Sequence, residues 1–110
     1  MAYDEGLAER IREMLAARTD VREKLMFGGI AFLINGNMAV GVAKEDLMIR
    51  VPPEAHEALL VQPHARPMDF TGRPMKGWLF VDPQGVESDA DLRRWIERGA
   101  AYASSLPAKL

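Results

Sequence analysis

KLMFGGIAFLINGNMAVGVAKEDLMIRV, residues 24–51, decides the fold. Its apolar residues come in short runs rich in β-branched and aromatic types, separated by turn formers, which is strand spacing and not helix spacing. The runs read as strands near Lys24–Phe27, Ile30–Ile34, Met38–Val42 and Leu47–Val51. Asn35-Gly36 between two of them is the strongest local signal in the chain. A type I′ turn needs positive φ at both central residues, and Asn and Gly tolerate that best, so a tight hairpin is expected. Lys44-Glu45-Asp46 makes the next turn. Connections this short join neighbours, so the segment is an antiparallel meander.

Outward from this stretch the period changes. Leu7, Ile11, Met14 and Leu15 recur at helical spacing with Glu9, Arg10, Arg12 and Glu13 opposite, Asp4 as N-cap and Thr19-Asp20 as exit. On the other side Pro52-Pro53 ends the fourth strand and opens a short helix over EAHEALLVQ, residues 54–62. A loop from Pro63 to Gly77 leads into a strand at Trp78–Val81 and a turn at Asp82-Pro83-Gln84-Gly85. Ser88 and Asp91 fit a capping box. Behind it Leu92, Trp95, Ile96, Gly99, Ala103 and Leu106 form the apolar face of a last helix, stopped by Pro107. The expected fold is α+β: an antiparallel sheet of about five strands, N- and C-terminal helices packed on it, and one short helix between strands four and five.

Strand faces carry a further expectation. Ile30, Phe32 and Ile34 alternate with Ala31 and Leu33, and Trp78 and Phe80 with Leu79 and Val81, so both faces are apolar. In the third strand Met38, Val40 and Val42 stand against Ala39, Gly41 and Ala43, and the small face is expected to let a helix approach closely. Helices on one face alone would leave the other bare. Either helices cover both or a second subunit covers one, which raises a homodimer.

At 110 residues the chain makes a single domain, residues 1–110, that buries roughly 65% of its unfolded surface. With no cysteine, disulfides, thiolate metal sites and cysteine nucleophiles are excluded. A net charge of −2 gives no electrostatic reason to bind nucleic acid directly. The start, MAYDEGLAERIREM, lacks an apolar signal core, and no run reaches the roughly 20 apolar residues of a membrane span, so a cytoplasmic setting is expected.

Catalytic and metal chemistry finds little support. His56 and His64 lack the i, i+4 spacing of a metal pair, and with Glu54 and Glu57 beside His56 both read as surface residues. Asp82, Asp89 and Asp91 would need a glutamate where Arg93 stands to form an EF-hand. Gly28-Gly29 lacks the Lys-Ser/Thr of a phosphate loop and does not open a helix, so it reads as a turn or bulge with positive φ. Ser88 is a cap, and Ser104-Ser105 lie in the tail. No catalytic residue, cofactor or metal is assigned.

One loop remains: ARPMDFTGRPMKGW, residues 65–78, which says Arg-Pro-Met twice. Proline fixes its own φ and biases the residue before it toward extended backbone, so Arg66 and Arg73 are presented alike. Met68, Phe70, Met75 and Trp78 would anchor the loop. Asp69 could take one arginine in a bidentate bond, leaving the other and Lys76 free. Three readings stand: a loop tied down for architecture, a patch of Arg66, Asp69, Arg73, Lys76 and Trp78 docking a partner's carboxylate or phosphate, or a substrate clamp. Structureless segments longer than about 12 residues are uncommon in compact domains unless functional. A small-molecule or anion site in the cleft between this loop and Gly28-Gly29 is the alternative.

MFGGIAFLINGNMAVGV, LMIRV and HARPMDFTGRPMKGWLFV together resemble the TfoX N-terminal domain family, over nearly the whole chain. The resemblance implies helices packed on an antiparallel sheet. It also implies a regulatory role, since the full-length regulators act with a cyclic-AMP receptor protein on competence genes. Those regulators carry a second, helical C-terminal domain, whereas this chain ends at Leu110 directly after its last helix, so the competence role is not carried over outright. The family brings no catalytic residues. The resulting expectation is a non-enzymatic protein-interaction module of the transcriptional co-regulator kind, with a partner in the transcription machinery.

Overall fold

The computed structural model of the chain describes residues 3–26, 28–69 and 75–109. Helix α1, Glu5–Met14, starts where the Asp4 carboxylate accepts the Leu7 N–H at 3.1 Å. It buries Leu7, Ala8 and Ile11. Strands β1 (Val21–Met26), β2 (Gly29–Ile34), β3 (Asn37–Ala43) and β4 (Asp46–Arg50) follow as an antiparallel meander. Next come a 3-10 turn at Pro53–Ala55, helix α2 (His56–Leu60), strands β5 (Ala65–Pro67) and β6 (Trp78–Val81), a 3-10 turn at Pro83–Val86 and helix α3 (Asp89–Ser105). Ser88 caps α3, its hydroxyl accepting the Asp91 N–H at 3.1 Å. No helix among the described residues is long and apolar enough to cross a membrane.

The fold is the expected α+β arrangement with one strand more: the sheet has six strands in the order β1-β2-β3-β4-β6-β5. The extra strand, β5, lies inside the segment read from sequence as loop. Pro67 is accommodated because β5 is an edge strand, where a missing donor is tolerated. The Asn35-Gly36 hairpin has positive φ at both residues, 52° and 82°. The C-terminal segment lies across it: Lys109 N–H donates to the Asn35 carbonyl at 2.8 Å, and Asn37 Nδ2 to the Pro107 carbonyl at 2.9 Å.

Both helices α1 and α3 lie on one face, where Ile30, Phe32, Val40, Val42, Leu47, Ile49, Leu79 and Val81 join Leu7, Ile11, Leu92, Trp95 and Ile96 in the main core. The other face holds Ala31, Met38, Ala43, Met48, Met68 and Phe80, all buried within the single chain. Met68 comes from the Arg-Pro-Met loop, so that loop contributes a side chain to the second core, a contribution the sequence reading did not weigh beside helices or a second subunit.

A bulge corrects the alternation in β3. The register shifts between Phe32 and Leu33, so Met38 joins the small-residue side while Ala39 turns toward α3. The close helix approach falls at Ala39, not along the whole small face: a Cβ on Gly99 of α3 would stand 2.5 Å from the Ala39 carbonyl oxygen. Gly41 instead makes room for the Met48 side chain.

Candidate functional site

The Arg-Pro-Met loop begins at β5. Arg66 pairs with Phe80 in register, and its guanidinium stands 5.1 Å from the Phe80 ring centroid. Its Nε donates to Asp82 Oδ1 at 2.6 Å and its Nη2 to Asp46 Oδ2 at 2.5 Å. Asp82 first, and then Asp46, hold the guanidinium more basic than usual. Arg66 is therefore paired, and its acceptors come from the first residue of β4 and the residue after β6. Asp69, the acceptor expected from sequence, is not among them.

Past Pro67 the chain dips into the second core, with Met68 fully buried. The Met68 carbonyl accepts the Met75 N–H at 3.0 Å, which closes the segment between them. Asp69 and Lys76 are exposed, while Met75 and Trp78 are half-buried. Arg73 and Phe70, both singled out from sequence, lie outside the described residues. The Arg50 guanidinium stands over the Trp78 ring at 5.3 Å and over the Tyr102 ring at 5.5 Å.

The far root is fixed at Gly77, whose φ is +88°. Its carbonyl accepts the Val51 N–H at 2.9 Å. Its own N–H donates to His56 Nδ1 at 2.9 Å. His56 is 4% exposed, which corrects its reading as a surface residue. The sequence did carry a signal: His56, Leu59 and Leu60 share a helix face at i, i+3, i+4, and the flanking glutamates lie off it. Asp46 and Asp82 had no such signal, because they reach Arg66 only through strand pairing.

The glycine pair takes two separate jobs. Gly28, φ +73°, sits in the β1–β2 turn, while Gly29 opens β2. A Cβ on Gly29 would stand 1.8 Å from the Val42 carbonyl oxygen, so that backbone approach leaves no space there. Among the described residues no cluster of three His, Cys, Asp or Glu could hold a metal ion.

Both roots of the loop are thus fixed, Arg66 by two carboxylates beside buried Met68, and Gly77 by a histidine and by Val51 after β4. Asp69 and Lys76, near these roots, are exposed. In comparisons with known proteins, the model of the TfoX N-terminal domain matches residues 13–103. No curated protein and no solved structure matches. The matched stretch runs from the last two residues of α1 through most of α3 and includes every described strand and the segment between β5 and β6. The chain belongs to the TfoX N-terminal domain family, a family of regulatory domains.

Proposed function

We propose that this domain is a non-enzymatic protein-interaction module, a cytoplasmic transcriptional co-regulator that docks a protein partner through the β5–β6 loop. The observation that supports this most is the clamping of both loop roots. Arg66 and Gly77 are each hydrogen-bonded to other elements, so exposed Asp69 and Lys76 stand beside roots that are already fixed before binding. Exposed Lys76 and Asp69 give it charge of both signs, which favours a mixed-charge protein surface over a uniformly anionic duplex. The net charge of −2 points the same way.

The test is affinity capture from a lysate of the source cells, comparing wild type with an Arg73→Ala, Lys76→Ala variant that keeps Arg66. A transcription factor or polymerase subunit retained by wild type and lost by the variant is expected. The same proteins on both, or none, would remove the docking role from this loop.

A further inference from the structure

The surface between α2 and α3 carries an unassigned groove of about 510 Å³. Its walls are apolar: Val51, Ala55, Ala58 and Leu59 on one side, Ala101 and Tyr102 on the other. Beyond the end of α2 a second, polar cavity of about 350 Å³ is lined by Gln62, His64, Gln84, Asp91, Arg94 and Trp95. Both volumes fall within or near the range of small-ligand sites. Arg98 borders both.

Arg98 differs from the other cation of the polar cavity. Arg94 is paired with Asp91 one turn back. Arg98 instead stands over buried Trp95, its guanidinium 4.7 Å from the ring centroid, and takes no carboxylate among the described residues. Stacking on indole fixes the plane of the guanidinium and leaves its edge donors available. The junction of the two cavities therefore holds one pre-oriented guanidinium with no carboxylate partner among the described residues, with apolar walls on one side and, on the other, amides and the mutually paired Asp91 and Arg94.

We propose that this double groove binds an amphiphilic carboxylate, with its aliphatic tail between α2 and α3 and its head group on Arg98. One free guanidinium matches a monoanion that it can grip with two parallel N–H···O bonds. A phosphate monoester, carrying nearly two charges, would need a second free cation that Arg94, held by Asp91, does not supply. The site is separate from the β5–β6 loop and does not depend on what that loop binds.

Decanoate is the probe, titrated below its micelle concentration into the whole protein and followed by amide shifts in two-dimensional NMR. Saturable shifts confined to residues 51–64, 84–85 and 91–105 are expected. Decan-1-ol, which lacks the charge, and the Arg98→Gln variant should each bind at least about tenfold more weakly. Ala58→Trp, at an exposed position on the groove wall, should abolish binding, and Ala101→Trp replaces it if that variant fails to fold. No saturable binding to wild type, equal affinity for the alcohol, undiminished binding by Arg98→Gln, or shifts elsewhere would each overturn the proposal.

Discussion

Arg66 shows how a residue that looks available in sequence becomes structural in three dimensions. Asp46, with a side chain only 17% exposed, would lose its cation in Arg66→Ala and be left near Asp82. A charged hydrogen bond is worth about 1.5–3 kcal/mol where half-buried, while an exposed pair is worth little; Arg66, 43% exposed, lies between the two. Arg66→Ala should therefore lower stability by about 1–2 kcal/mol in urea denaturation. A loss under about 0.3 kcal/mol would mean the loop root is held by Met68 alone. At the other root, His56→Phe keeps a planar aromatic ring, somewhat larger, but leaves the Gly77 N–H without its acceptor. That should cost about 1–3 kcal/mol by the same measurement. The Asn35-Gly36 turn, the Asp4 cap and the Ser88 cap were legible because each acts on backbone within three residues. The partners of Arg66 and His56 were not, because they are 16–21 residues away in sequence.

Among elements, the contact of α3 with β3 sets two effects against each other. Alanine is a better helix former than glycine by about 0.8–1 kcal/mol, so helix propensity alone favours Gly99→Ala. Its Cβ would nevertheless stand 2.5 Å from a backbone oxygen that the sheet holds in place. Overpacking of this kind costs about 1–3 kcal/mol, so the variant should unfold at lower denaturant, and a rise in stability would show that α3 can lift off β3 freely. The link between α1 and β1 is electrostatic. Arg12 holds both carboxylate oxygens of Glu23, at 2.6 and 2.7 Å, and also pairs with Glu9. The guanidinium keeps the Glu23 carboxyl below its ordinary 4.5. Its stabilisation is therefore complete above that pH and disappears as pH falls through the lowered folded value. Glu23→Gln should flatten the acid limb of the stability profile below pH 4.5, with less than about 1 kcal/mol lost at neutral pH because the pair is exposed. An unchanged acid limb would show that Glu23 titrates alike folded and unfolded.

At the scale of the whole molecule, the two-faced apolar sheet no longer calls for a second subunit. The face without helices is buried within the single chain, with Ala31, Met48 and Met68 at zero exposure. Both sheet edges also discourage pairing: β1 displays Arg22, Glu23 and Lys24, and β5 carries Pro67. Light scattering should give a concentration-independent mass near 12.3 kDa. A mass that doubles with concentration would point to the remaining exposed apolar residues, Leu25 and Val61, as a contact.

The sequence by itself determined the elements, their antiparallel order through β4 and the caps and turns that bound them. Those features depend on period, on φ and on hydrogen bonds within a few residues. Only the tertiary structure decided that Ala65–Pro67 is a strand, since three residues have no period and β6 supplies the pairing. It alone showed that the β3 bulge sends Ala39 to the helix side, and that Met68 joins the second core. It also divided the charged residues: Arg66 became architecture because Asp46 and Asp82 converge on it, while Arg98 kept its donors because Asp91 turned to Arg94. The Asp91–Arg94 pair is one turn apart on a helix and lies within reach of linear spacing, but the pairing of Arg66 depends on distances across the sheet that linear spacing does not encode.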